Sequence, residues 1–73
     1  MREAWTGDVV AQMHIYSITQ TELARQMSVT RPYLNRLLTG SQKVPGAEAR
    51  CRSAVAEIIR ERRLAENAQN PAG

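Results

Sequence analysis

Aromatic residues are scarce in this sequence: phenylalanine is absent, and the only aromatics are Trp5, Tyr16 and Tyr33. The core therefore has to be built from aliphatic side chains, which favours an all-helical fold. The 73 residues suffice for one domain. A single core of that size leaves a domain only marginally stable unless a disulfide, a metal or a second chain supports it, so dimerisation is an early hypothesis.

Residues that build chemical sites are also few. Cys51 and His14 are the only cysteine and histidine, which excludes a disulfide framework and a cysteine-based zinc site within one chain. We expect Cys51 to be a small buried apolar residue, with a regulatory thiol as the alternative. The sequence has neither a glycine-rich phosphate loop nor paired carboxylates on a predicted cleft. We therefore expect no enzyme, no metal, no cofactor and no small-molecule ligand.

Long apolar stretches are missing too. Nowhere do 18 apolar residues follow one another, and residues 1 to 5 contain no basic region that leads into an apolar run. We therefore expect a protein that neither spans a membrane nor is exported. A single cysteine fits the reducing environment of the cytoplasm, where we expect the protein to be located.

What the sequence does contain is positive charge at its centre. The formal net charge is +3, but residues 20 to 52 alone carry +4, while the two flanks together carry −1. Clustered arginine and lysine raise the local potential and attract polyanions, nucleic acids above all. The alternative is a basic face that is simply solvated.

Apolar spacing predicts a first helix over about residues 2 to 16. Its apolar stripe comprises Trp5, Val9, Val10, Met13 and Tyr16. The second helix begins after Thr19, because the stretch from Thr19 to Glu22 has the form of a capping box. In such a box Thr19 accepts from the amide of Glu22, and Glu22 reaches back to Thr19. The apolar positions of this short helix are Leu23, Ala24 and Met27.

A third helix follows a short connection at residues 28 to 30. Thr30 is a good N-cap and Pro32 suits a first helical turn, but proline restrains the residue before it, so Arg31 is an alternative cap. Gly40 is expected to end the helix in a left-handed conformation. The predicted buried positions are Leu34, Leu37 and Leu38.

A long fourth helix is predicted from residue 47 to about residue 66, where the domain ends, with a flexible tail at residues 67 to 73. Its predicted inward positions are Ala47, Cys51, Ala54, Val55, Ile58 and Ile59. Such a helix is about 30 Å long, more than so small a core covers. Either its whole stripe packs on the other helices, or its distal part pairs with a second chain, which we favour. The candidate dimer residues are Val55, Ile58, Ile59 and Leu64.

The second and third helices together form the most informative unit. Residues 20 to 39 hold two short helices joined by about three residues and followed by Gly40, which is the pattern of a helix-turn-helix. Helices joined by so short a turn cross steeply, and Ala24 supplies the small side chain needed where they touch. The outer face of the third helix stays polar and carries Arg31, Tyr33, Asn35 and Arg36.

The same segment resembles a known family. The stretches from Gln20 to Ala24, from Val29 to Leu34 and from Leu37 to Gly40 are similar to the Cro/CI-type, or XRE-type, helix-turn-helix domains of phage and bacterial repressors. The resemblance covers residues 5 to 46. It implies an all-α, small four-helix, lambda-repressor-like domain, here with a long C-terminal helix. It also implies that the helix over residues 31 to 39 enters the major groove, and it suggests a phage or mobile-element origin.

The resemblance further implies roles for individual residues. Positions that face the bases or the adjoining backbone are taken here by Arg31, Pro32, Tyr33, Asn35 and Arg36. Positions that contact phosphate are taken by Thr19, Gln20, Thr30, Thr39, Ser41 and Lys43. Arginine donates two parallel hydrogen bonds to guanine O6 and N7, so Arg31 and Arg36 are the strongest candidates for base reading. Phosphate contacts add affinity and salt dependence without sequence information.

Some positions depart from the family pattern. Ser28 stands at a turn position that usually holds glycine, so we expect a slightly different turn. Many family members pair the acidic residue at Glu22 with an arginine on the first helix. The matching position here is Met13, so Glu22 is expected to act only as a capping residue. The common fifth helix is replaced by the length of the fourth, and dimer geometry does not carry over.

The leading hypothesis is a transcription regulator, a repressor that binds a palindromic operator in double-stranded DNA as a homodimer. One alternative is a protein-interaction module of the antitoxin or anti-activator type, which the two arginines on the third helix argue against. Another is a recombination accessory or architectural protein that bends DNA, for which we see no wedge side chains.

Overall fold

The computed structural model describes residues 4–69, and the side chains of residues 4–67. Within that part the chain forms four α-helices and no strand, which confirms the predicted small all-α fold. The helices are α1 (Ala4–Ile15), α2 (Gln20–Met27), α3 (Arg31–Thr39) and α4 (Ala47–Gln69). None of these described helices has the length and apolar character needed to cross a membrane.

The helix boundaries differ from the predicted ones at the two ends of the chain. α1 ends at Ile15, one residue before the predicted end, and residues 2 and 3 lie outside the described part. α4 continues past the predicted end at 66 to residue 69, so the first residues of the expected tail are helical. The remainder of that tail, residues 70–73, lies outside the described residues.

α2 begins with the predicted capping box. Thr19 Oγ1 accepts a hydrogen bond from the amide of Glu22 at 3.1 Å, and the amide of Thr19 donates to Glu22 Oε1 at 3.4 Å. The helix ends at Ser28, whose φ of 59° lies in the left-handed region. Ser28 thus adopts a conformation that glycine reaches without steric cost, and that a residue with a Cβ reaches only with strain.

Thr30 is the N-cap of α3, which decides between the two predicted caps. Its Oγ1 accepts from the amide of Tyr33 at 3.2 Å, and Pro32 lies in the first turn, where a missing amide leaves no helical bond unmade. Gly40 ends the helix with φ 84°, as predicted. Residues 28–30 are the whole connection between α2 and α3. The two helices therefore form the expected pair with a short turn.

The core is aliphatic, as predicted, and lies between all four helices. α4 packs against α1 and α2, and α3 packs against the same two helices. The most deeply buried apolar side chains are Val9, Leu23, Leu34, Leu38, Cys51 and Val55. Burial raises the pKa of the Cys51 thiol, while the neighbouring charge of Arg50 acts in the opposite direction. Cys51 therefore behaves as the small apolar residue that the sequence predicted.

The inward stripe of α1 is shifted from the predicted one. Thr6, Val9 and Met13 are buried, whereas Tyr16 is 39% exposed. Tyr16 lies beyond the end of the helix at Ile15, so the helical spacing that placed it inward no longer applies to it. The prediction that Tyr16 faces inward is therefore wrong. Thr6 belongs to the buried stripe instead, although a pattern of apolar residues does not identify a threonine.

The candidate dimer residues on α4 do not form one surface. Val55 and Ile58 are 1% and 5% exposed, because they pack in the chain's own core. The prediction that Val55 and Ile58 contact a second chain is therefore wrong, because neither residue is open to one. Ile59 is partly buried against the same core, and only Leu64, which is 61% exposed, lies fully at the surface.

α4 is also tied to the start of α2 through Arg62. Its Nη2 donates to both carboxylate oxygens of Glu22, at 2.8 and 2.9 Å. The same guanidinium donates to the carbonyl oxygens of Tyr16 and Ser17, which follow α1. The expectation that Glu22 acts only as a capping residue is therefore wrong. The arginine that α1 lacks at Met13 is supplied by α4 instead.

Candidate nucleic-acid interface

α3 turns one face to the core and the opposite face to solvent. Leu34, Leu37 and Leu38 are buried, as predicted. The outward face carries most of the predicted base-contacting residues at helical spacing, and Tyr33 lies partly buried at its edge. The exposed members are Arg31, Pro32, Asn35 and Arg36. Because the buried leucines fix the rotation of α3 about its axis, they also fix which side chains it presents.

The start of α2 lies beside this outward face. Gln20, Arg31, Pro32 and Asn35 line one shallow depression, and Gln20 Nε2 donates to Asn35 Oδ1 at 3.4 Å. The structure thus brings a predicted phosphate contact next to predicted base contacts. Adenine recognition by asparagine uses both amide atoms, so the bond to Gln20 takes up one of the two that Asn35 offers.

Thr19 and Thr30, the two predicted phosphate-contacting threonines at helix starts, are already engaged, but only as acceptors. Thr19 Oγ1 and Thr30 Oγ1 each accept from an amide of their own helix. Since a hydroxyl has one donor proton besides its acceptor lone pairs, both keep that proton for a further acceptor such as a phosphate oxygen. Both also stand where the helix dipole favours an anion.

The loop after α3 folds back onto that helix. Thr39 Oγ1 lies 3.1 Å from Ser41 Oγ and 3.4 Å from the carbonyl oxygen of Arg36, so these two predicted phosphate contacts are joined. The amide of Gln42 donates to the same carbonyl at 3.2 Å. Lys43 follows and is exposed. The left-handed conformation of Gly40 reverses the chain and brings this loop beside the outward face of α3.

Arg36 is held from two sides. Its Nε donates to Gln42 Oε1 at 3.1 Å, and its Cζ lies 5.9 Å from the centroid of the Tyr33 ring, within the range of a cation–π contact. Gln42 is a residue that sequence reasoning missed. The only signal was its place two residues after the helix-ending Gly40, which does not reveal a side-chain contact with α3.

Positive charge on this face is not neutralised by neighbouring carboxylates. No Asp or Glu occurs from residue 23 to residue 47, a stretch with four cations: Arg25, Arg31, Arg36 and Lys43. Within the described part of the chain, every ion pair involves an arginine of α4. One of these is Arg52, whose hydrogen bond to Glu48 raises its pKa. Among the described residues, the cations of α3 and the following loop, Arg31, Arg36 and Lys43, therefore have no carboxylate partner, whereas Arg25 lies on the side of α2 that faces α4, beside Glu22 and Glu61.

Among residues 4–69, no three His, Cys, Asp or Glu side chains are grouped so as to hold a metal ion. Comparison with known proteins adds no relative, since no protein-family model, no curated protein and no solved structure matches the chain.

Proposed function

We propose that the protein is a sequence-specific DNA-binding transcription regulator of the Cro/CI type, acting as a repressor on a palindromic operator. The observation that carries the proposal is the composition of one face. The outward side of α3, Gln20 at the start of α2 and the loop at residues 40–43 adjoin one another. α3 and the loop carry Arg31, Arg36 and Lys43 and contain no carboxylate, and the carboxylate in the first turn of α2, Glu22, is paired with Arg62 of α4. A face of this kind fits a polyanion whose bases are read by side chains on a helix.

In this proposal α3 lies in the major groove, which is wide enough to admit an α-helix. Arg31 and Arg36 donate to guanine O6 and N7, and Pro32 offers an apolar surface to a thymine methyl group. Tyr33 supports Arg36 at the edge of the groove. Each arginine–guanine pair is worth about 1–3 kcal/mol of discrimination against the wrong base.

Phosphate contacts flank the reading helix on both sides. Thr19, Gln20 and Thr30 stand at the helix starts, where amide groups and spare hydroxyl protons favour phosphate oxygens. Thr39, Ser41 and Lys43 serve the other side. Because these contacts address only the backbone of the DNA, they set the position of α3 and the salt dependence of binding rather than the sequence preference.

Operator binding as a homodimer places two copies of α3 about one DNA turn apart. The large apolar side chains left exposed within the described residues are Ile15, Tyr16 and Leu64. Arg62, which contacts the carbonyl of Tyr16, places the end of α1 next to the distal part of α4. The dimer contact is therefore proposed at this end of the molecule, with Leu64 and the partly exposed Ile59.

The proposal is tested by selecting bound duplexes from a randomised pool at two salt concentrations. Wild type, Arg36→Ala and Arg50→Ala are run in parallel. Arg50 is a matched control, because it is exposed near the start of α4, far along the helix from Leu64, and removing it deletes the same charge outside α3. Wild type and Arg50→Ala are expected to enrich an inverted repeat with half-sites about 10 base pairs apart, and Arg36→Ala to lose preference within each half-site.

Two results would end this proposal. The first is that the wild-type protein enriches no sequence, and the second is that it fails to bind duplex DNA at moderate salt. Either result would favour a protein-interaction module, for which the exposed Ile15, Tyr16 and Leu64 would be the first surface to examine.

A further inference from the structure

The side chain of Arg36 is exposed, yet it contacts two neighbouring side chains, neither of which is a carboxylate. Gln42 Oε1 accepts from its Nε at 3.1 Å, and the Tyr33 ring lies 5.9 Å from its Cζ. A long exposed side chain ordinarily samples many rotamers and loses that freedom when it binds. In this protein the contacts with Gln42 and Tyr33 already restrict the rotamers of Arg36 before any ligand binds.

The contact with Gln42 also determines which donors remain. A guanidinium carries five N–H groups, one on Nε and two on each Nη. With Nε donating to Gln42, the four donors on Nη1 and Nη2 are left for a ligand. Those two nitrogens form the end of the planar fork, and they suit two parallel acceptors such as O6 and N7 of guanine.

We propose that Gln42 is a specificity-determining positioning residue, which holds Arg36 so that its two terminal nitrogens read guanine. The inference rests on the proposed function and extends it to a residue outside the recognition helix. Gln42 touches no base in this role. It acts through Arg36, and it makes the loop after α3 a determinant of sequence preference as well as a place of phosphate contact.

The hydrogen bond between the side chains of Gln42 and Arg36 can be removed while the backbone bond that holds the loop is kept. The backbone amide of Gln42 bonds to the carbonyl of Arg36, and any residue except proline supplies that amide. Gln42→Ala therefore removes the bond to Nε and keeps the backbone bond. Gln42→Glu keeps an acceptor for Nε but adds a negative charge near the DNA backbone.

The experiment compares base preferences selected from one randomised duplex pool. Wild type, Arg36→Ala, Gln42→Ala, Gln42→Glu and the neighbouring control Lys43→Ala are used, each checked by circular dichroism for wild-type helix content. Arg36→Ala first identifies the base position that Arg36 reads. A bidentate contact there gives a preference of roughly 5- to 150-fold.

A positioning role predicts a distinct pattern among the variants. Gln42→Ala weakens the preference by roughly threefold or more at the Arg36 position only, with an unchanged salt slope. Gln42→Glu retains that preference while its affinity falls for all sequences, because its charge repels phosphate. Lys43→Ala keeps every preference and lowers the salt slope by about 1.

Other results overturn the inference in separable ways. If wild type selects a sequence and Gln42→Ala keeps the full preference at the Arg36 position, or loses affinity equally for all sequences, Gln42 has no positioning role and the proposed function stands. If wild type selects no sequence, both proposals fail together.

Discussion

Replacing Arg62 with methionine tests whether α4 holds the start of the helix-turn-helix in place. The substitution keeps much of the side chain's length and apolar stem and removes the guanidinium, with its bonds to Glu22 and to the carbonyls of Tyr16 and Ser17. We expect Arg62→Met to destabilise the fold, since it leaves the carboxylate of Glu22 without its partner on α4.

The expected size follows from the exposure of the pair. The side chains of Arg62 and Glu22 are 40% and 39% exposed, between a surface pair and a buried one. Exposed pairs contribute about 0.2–1 kcal/mol, whereas breaking a buried pair costs about 3–5 kcal/mol. With the carbonyl contacts included, we expect a loss of about 2 kcal/mol, which for a domain of this size lowers Tm by about 8–16 °C.

The measurement is thermal and urea unfolding followed by circular dichroism. Arg63→Met, on the neighbouring exposed position, is the control and is expected to stay within about 0.5 kcal/mol of wild type. Adding Glu22→Gln closes a double-mutant cycle, in which we expect a coupling energy of about 1 kcal/mol. A Tm for Arg62→Met equal to that of Arg63→Met, or strictly additive effects of Arg62→Met and Glu22→Gln, would refute the tie between α4 and α2.

Three further predictions concern other parts of the fold. Ser28→Gly removes the strain of a left-handed residue and is expected to raise stability by about 0.5 kcal/mol in urea unfolding, after the entropy cost of glycine; a lower midpoint would contradict this. Cys51 is expected to react with iodoacetamide at pH 8 far more slowly in the native than in the urea-unfolded protein, because burial shields the thiol and raises its pKa. The same shift stabilises the fold below the unfolded thiol pKa, and that contribution is lost as pH rises through the higher folded pKa. Leu64→Glu is expected to yield a monomer in light scattering, with a helix content unchanged in circular dichroism. A dimer that persists in this variant would exclude Leu64 from the proposed dimer contact.

The parts of the fold set by neighbouring residues were predictable from the sequence. Thr19 with Glu22, Thr30 and Gly40 are signals that act within one helical turn, and each marks a helix end as predicted. The buried face of α3 followed from its leucine spacing. Because the same spacing fixes the opposite face, the exposed members of the candidate site were predictable as well.

The contacts between distant residues were not predictable. Arg62 and Glu22 are 40 positions apart, and Gln42 meets Arg36 only because Gly40 reverses the chain between them. The apolar spacing of α4 correctly placed Val55 and Ile58 inward, but it did not show whether the chain's own helices or a second chain would cover them. Periodicity identifies a face, whereas its partner depends on tertiary packing.

The uneven distribution of charge affects how the molecule would approach a polyanion in solution. Residues 57–66 of α4 carry three arginines and three glutamates, so their field largely cancels at a distance. At physiological ionic strength the field of the unpaired cations around α3 extends about 8 Å into the solvent. A polyanion that approaches is therefore attracted mainly to the side that carries α3, and this attraction favours the binding orientation before any side chain makes contact.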